Sequence, residues 1–118
     1  MRKTLKTKRT VTLKVYTDKA GQEYLKIRDV AAVLGVKQPF EFTADLKARL
    51  TPDAIKSGRD LVDLTPVDDS LRATYITLLD LYRFLDCGIA WKCKMNNTKK
   101  RELITELKEI VKELQETN

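Results

Sequence analysis

The chain has 118 residues, 42% hydrophobic and 34% charged, which is enough to bury a core without metal or disulfide support. Its longest apolar run, Val30 to Val36, is far shorter than the ~20 residues a membrane helix needs, and its basic N-terminus lacks the apolar stretch of a signal peptide, so an intracellular protein with no membrane partner is expected. The net charge of +6 points to a polyanionic partner.

The chemistry of most enzymes is missing. There is no histidine, no Gly-rich phosphate loop and no G-x-S-x-G motif. Cys87 and Cys93 are the only cysteines, and a C-x5-C pair without histidine is poor metal-site arithmetic, so two reduced, partly buried thiols are expected. Asp63, Asp68 and Asp69 read as solvated loop carboxylates rather than metal ligands. No catalytic residue, metal site or cofactor is therefore assigned.

Charge is unevenly distributed. Arg2, Lys3, Lys6, Lys8, Arg9, Lys14 and Lys19 are opposed only by Asp18 in the first stretch. A second basic zone holds Lys92, Lys94, Lys99, Lys100 and Arg101, whereas Asp60 to Asp69 carries four aspartates and no base. We find no internal repeat and no low-complexity linker. The expected organisation is a flexible basic arm over residues 1–9 and a single nucleic-acid-binding domain over 10–118.

In chain order, Thr10 to Thr17 alternates with the period of a strand. Asp18-Lys19-Ala20-Gly21 forms a turn, and Glu23 to Ile27 returns as the second strand of a hairpin. Ile27 to Leu34 takes helical spacing and stops at Gly35, with Val36 packing beneath. Lys37-Gln38-Pro39 turns into a second helix, Phe40 to Leu50, with Phe42, Leu46 and Leu50 towards the core. Pro52 opens a short helical segment ending near Gly58, and Asp60 to Ala73 is irregular. A short strand, Thr74 to Thr77, precedes a helix from Leu78 to Cys87 that Gly88 stops. The final helix, Thr98 to Gln115, carries an apolar stripe and takes Asn97 or Thr98 as its N-cap. The fold class is α+β: an N-terminal β-hairpin, a helical pair, a short third strand and a long C-terminal amphipathic helix.

Two features point to nucleic acid. First, the four-residue step from Ala31 to Gly35 lets two helices cross closely, as a DNA-reading pair requires. Lys37 and Gln38 then stand near the second helix's N-terminus, with Lys47 and Arg49 further along, while Glu41 and Asp45 oppose a phosphate contact. Second, Lys99, Lys100 and Arg101 occupy the first turn of the last helix, where the macrodipole favours acids at about 0.3–1 kcal/mol each. A bound phosphate reverses that sign. Trp91 reads as a core or rim aromatic.

The residues also resemble the BRO-N family, the N-terminal domain of baculovirus repeated-ORF and phage antirepressor-like proteins. The likeness runs from the hairpin Val11–Ile27 through Lys26-Ile27-Arg28-Asp29-Val30-Ala31-Ala32-Val33-Leu34-Gly35-Val36, then Tyr75-Ile76-Thr77-Leu78-Leu79-Asp80-Leu81-Tyr82-Arg83-Phe84-Leu85 and the closing helix, covering about residues 11–115. Val36 replaces the family's usual aromatic, Asp80 its frequent glycine, and Arg101–Leu114 lacks its tryptophan. The resemblance implies an α+β DNA-binding module of viral or phage regulatory type, in the host nucleus or cytoplasm if viral, with Lys37, Gln38 and the basic residues after Trp91 as contacts. Two other functions remain open. One is a protein-interaction module or homodimer using Leu103, Leu107, Ile110 and Leu114; the other is RNA binding.

Overall fold

The computed structural model describes residues 4–6, 12–49, 52–61, 63–65, 73–86 and 93–116. It is an α+β fold. Strands β1 (Thr4–Lys6) and β2 (Thr12–Lys14) pair antiparallel, with Leu5 opposite Leu13. Part of the expected arm is thus a strand, because an extended T-L-K segment finds a matching T-L-K partner for its backbone groups; the rest of residues 1–9 lies outside the described residues.

The hairpin follows as expected: β3 (Tyr16–Thr17) and β4 (Glu23–Lys26) pair around Asp18 to Gln22, with Gly21 at φ 85°. Asp18 closes the turn by accepting the Gln22 N–H at 2.9 Å and the Tyr24 hydroxyl at 3.2 Å. β4 runs straight into helix α1 (Ile27–Val33). The Gly35 N–H then bonds the Ala32 carbonyl and the Val36 N–H the Ala31 carbonyl, a Schellman ending that uses Gly35 at φ 77° and buries Val36. Helix α2 (Pro39–Arg49) buries Phe42 and Leu46 completely; Leu50 lies outside the described residues.

After α2 the sequence reading is partly overturned. A 3-10 turn, Pro52–Ala54, gives way to strand β5 (Ile55–Ser57), not to continued helix. Ile55 is β-branched and pairs with Ile76, so tertiary pairing decides the segment. Strand β6 (Thr74–Thr77) leads into α3 (Leu78–Leu85), and α4 (Asn97–Glu116) closes the chain. The main sheet is antiparallel in the order β3-β4-β6-β5. Leu25 and Ile76 face the main core, which α1, α2, α3 and α4 cover. Tyr16, Tyr24 and Tyr75 form a smaller cluster with Leu64, Tyr16 and Tyr75 meeting edge-on at 5.4 Å.

An internal repeat that linear inspection misses is visible here. Tyr24-Leu25-Lys26-Ile27-Arg28-Asp29-Val30 and Tyr75-Ile76-Thr77-Leu78-Leu79-Asp80-Leu81 are each the end of a strand and the start of a helix, with no loop between. The two strands pair as Tyr24 with Thr77, Leu25 with Ile76 and Lys26 with Tyr75. Equivalent residues are therefore exchanged by a pseudo-twofold axis through the Leu25–Ile76 pair. Burial follows the same symmetry: Leu25 and Ile76, Ile27 and Leu78, and Val30 and Leu81 are all buried.

The α4 stripe is core, not a free dimer face. Leu103 and Leu107 are fully buried and Ile110 and Val111 nearly so, packed with α3. Leu114's side chain lies outside the described residues. Among the described residues no helix is long and apolar enough to cross a membrane.

Candidate nucleic-acid interface

The α1–α2 turn and the start of α4, distant in sequence, are joined by short backbone bonds. The Asn96 N–H donates to the Leu34 carbonyl at 2.7 Å, and Asn96 Cβ would lie 3.6 Å from a Cβ built on Gly35. Three residues earlier, the Cys93 N–H donates to the buried Asp45 carboxylate at 3.0 Å. The connection into α4 is thus stitched to both α1 and α2. Exposed Lys37 and Gln38 follow Gly35 in the α1–α2 turn, and exposed Lys94 and Arg101 with half-buried Lys99 and Lys100 flank Asn96 along the chain.

Two local expectations change. The α4 N-cap is Asn96, not Asn97 or Thr98: its Oδ1 accepts the Lys99 N–H at 3.1 Å and its carbonyl the Lys100 N–H at 2.9 Å. Asp45 does not oppose a phosphate at the surface, because it is turned inward to hold Cys93. Glu41 remains exposed. The Gln38 carbonyl accepts the Glu41 N–H at 3.0 Å, so Gln38 stands at the opening of α2 with its side chain exposed.

Lys47 is exposed on α2 and lines a recess of about 370 Å³ with Ile55, Ser57, Asp60 and Thr74. Asp60 already accepts the Ser57 hydroxyl at 3.0 Å. Arg49 ends α2, and its side chain is outside the described residues, as are Arg2, Lys3, Lys8, Arg9 and Lys92 altogether. Lys6 lies in β1 opposite Thr12.

A site that the sequence reading missed lies where β4 meets α1. Lys26, Arg28, Pro39, Phe40, Thr43, Ala73 and Thr74 line a cleft of about 460 Å³. Phe40 is 67% exposed, the one large hydrophobic side chain left open among the described residues. One signal was available: Phe40 precedes Phe42 by two, about 200° around a helix, so both cannot face the core. The Lys26 ammonium sits 5.8 Å from the Tyr16 ring centre, and Lys14 approaches the same ring at 5.9 Å.

Cys93 is a buried free thiol, pushed from 9.0 to about 12 mainly by burial, with the Asp45 hydrogen bond and charge adding to the shift. It is protonated and inert at neutral pH. Cys87 and Trp91 lie outside the described residues. Among the described residues no three His, Cys, Asp or Glu side chains group as metal ligands. Of the acidic loop, Asp63 pairs with Lys19 at 3.5 Å, and Asp68 and Asp69 are not described. Comparisons with protein-family models, curated proteins and solved structures return no match.

Proposed function

We propose that the protein is a DNA-binding domain of a viral or phage-type regulatory protein, acting inside the cell. The observation that carries the reading is the 2.7 Å bond from Asn96 to Leu34, which ties the basic start of α4 to the α1–α2 turn bearing Lys37 and Gln38. Lys94, Lys99, Lys100 and Arg101 grip phosphates at the α4 start, and Lys37 with Gln38 at the α2 opening reaches the bases. The resemblance to BRO-N domains supports the same class of partner. Burial of Leu103, Leu107 and Ile110 removes the main support for homodimerisation through α4.

The test is fluorescence anisotropy with labelled duplex DNA, single-stranded DNA and duplex RNA over a salt series. Duplex DNA is expected to bind, with log affinity falling by about 0.9 per phosphate contact against log salt. Lys99→Glu with Lys100→Glu lowers that affinity and flattens the slope. Failure of all three probes to bind near 50 mM salt, where non-specific attraction is strongest, sinks the proposal. Preference for duplex RNA moves it to the other nucleic acid.

A further inference from the structure

From the cleft at the β4–α1 junction we infer a second contact site that holds one unpaired nucleotide, its base stacked on Phe40 and its phosphate held by Lys26 and Arg28. The inference rests on the nucleic-acid reading and names a part of the ligand which that reading does not. Three observations support it.

The first is Phe40 itself, 67% exposed at the opening of α2, while its neighbour Phe42 is fully buried. An aromatic ring left in water offers a flat apolar surface to any nucleobase. The second is charge. Two cations line the cleft, and none of its described lining residues is a carboxylate. Lys26 lies beside the Tyr16 ring on the wall of the cleft, and a lysine ammonium is a compact positive charge suited to a phosphate. Arg28 is exposed and brings the planar fork suited to phosphate. The third is the remaining polar lining. Thr43 and Thr74 supply hydroxyls, and the Thr43 hydroxyl donates to the Pro39 carbonyl at 3.2 Å, leaving its lone pairs to accept from a base. The volume of about 460 Å³ lies within the usual range of small-molecule sites, about 300–1,000 Å³.

A fully paired duplex hides its base faces, so the occupant is a base outside the stack, at a bulge or in a single strand. A free mononucleotide shares the chemistry, and the strand is favoured because the neighbouring recess, which shares Thr74 with this cleft, offers its backbone a further cation in Lys47.

The experiment uses the full chain and two labelled duplexes, identical except that one carries a single unpaired 2-aminopurine. The wild type is expected to bind the bulged duplex roughly tenfold more tightly and to quench 2-aminopurine emission as the base stacks. Phe40→Ala abolishes both effects while affinity for the paired duplex and thermal stability stay unchanged, since the ring is not part of the core. Arg28→Gln lowers the salt slope by about 0.9, the loss of one phosphate contact. Equal binding of both duplexes without quenching, or preference retained in Phe40→Ala, overturns the site but leaves DNA binding standing. Loss of binding to every probe overturns both. Displacement by free deoxyadenosine monophosphate at the oligonucleotide's own concentration overturns the strand as the occupant.

Discussion

The two strand-to-helix units related by the pseudo-twofold axis share a frame and differ at its joint. In the second unit Thr77 caps α3, its hydroxyl accepting the Asp80 N–H at 3.1 Å. In the first, Lys26 occupies the equivalent place before α1 and makes no side-chain cap bond, although Asp29 stands where Asp80 does. Arg28 likewise replaces the partly buried Leu79. The shared positions (Leu25 and Ile76, Ile27 and Leu78, Val30 and Leu81) are those the core requires. The divergent ones, Lys26 and Arg28, both line the open cleft. A hydroxyl cap contributes about 0.5–2 kcal/mol, so forgoing it at α1 favours a use for the cations other than folding.

The largest effect tests whether the symmetry is energetic as well as geometric. Leu25→Ala and Ile76→Ala each remove a fully buried side chain on the axis and are expected to cost about 2–5 kcal/mol in urea titrations. Closely matched losses support equivalent halves, whereas a gap of several kcal/mol breaks the comparison. Ile110→Asp places an unpaired charge in the same core and unfolds the chain.

Alkaline pH strikes both units and the clamp beside them. Tyr24 in β4 is raised above 10.0 by partial burial and by Asp18, and Tyr82 in α3 by desolvation and by Asp86. The Cys93 thiol, at about 12, behaves alike. A folded pKa above the unfolded one means that the native state holds the proton longer. Stability is therefore complete below the unfolded value and falls as pH rises through the folded one. For Cys93 the window runs from 9.0 to about 12. Equilibrium unfolding across it should show a declining limb that Cys93→Ala makes shallower; an unchanged slope removes the thiol from the account.

A smaller effect isolates the cap. Thr77→Ala leaves the Asp80 N–H without its partner and is expected to lower stability by about 1 kcal/mol. Because Thr77 lies at the end of β6 and away from the proposed contacts at Phe40, DNA affinity should stay the same. A fall in affinity without loss of stability would give the second unit a part in binding.

Much of this frame is legible in the sequence. The alternation before Asp18, the Gly35 stop, the Thr74–Thr77 strand and the α4 stripe each follow from local spacing, and local spacing is what one chain displays. Most elements that escaped depend on partners remote in sequence. β5 is a strand because Ile55 meets Ile76, whereas β1 pairs with its neighbour β2 and was hidden by the basic residues around it. Asn96 caps α4 with the chain already tied to Leu34. The repeat escaped because, apart from Asp29 and Asp80, its alike positions are the buried ones, and burial is a property of the folded chain. At the candidate site the charges of Lys37 and of Lys99 to Arg101 could be read from the sequence, but the bond that ties the two turns bearing them could not. Lys26 and Arg28 look like ordinary surface cations until α2 sets Phe40 across from them.

The most discriminating variant changes one half towards the other. Lys26→Thr gives α1 the cap residue that α3 has, in a backbone already extended at φ −75° and ψ 125°. The new hydroxyl can accept the Asp29 N–H, and the expected gain is about 0.5–1 kcal/mol in thermal unfolding. Removing the Lys26 ammonium from beside the Tyr16 ring opposes part of that gain, so the net rise is the smallest effect in the series. If the cation serves a phosphate, the same variant binds the bulged duplex more weakly and loses about 0.9 from the salt slope. Stability and binding then move in opposite directions from one substitution, which is the signature of a position kept for its ligand. A variant both more stable and equally tight would instead show that the two halves differ at this joint by drift.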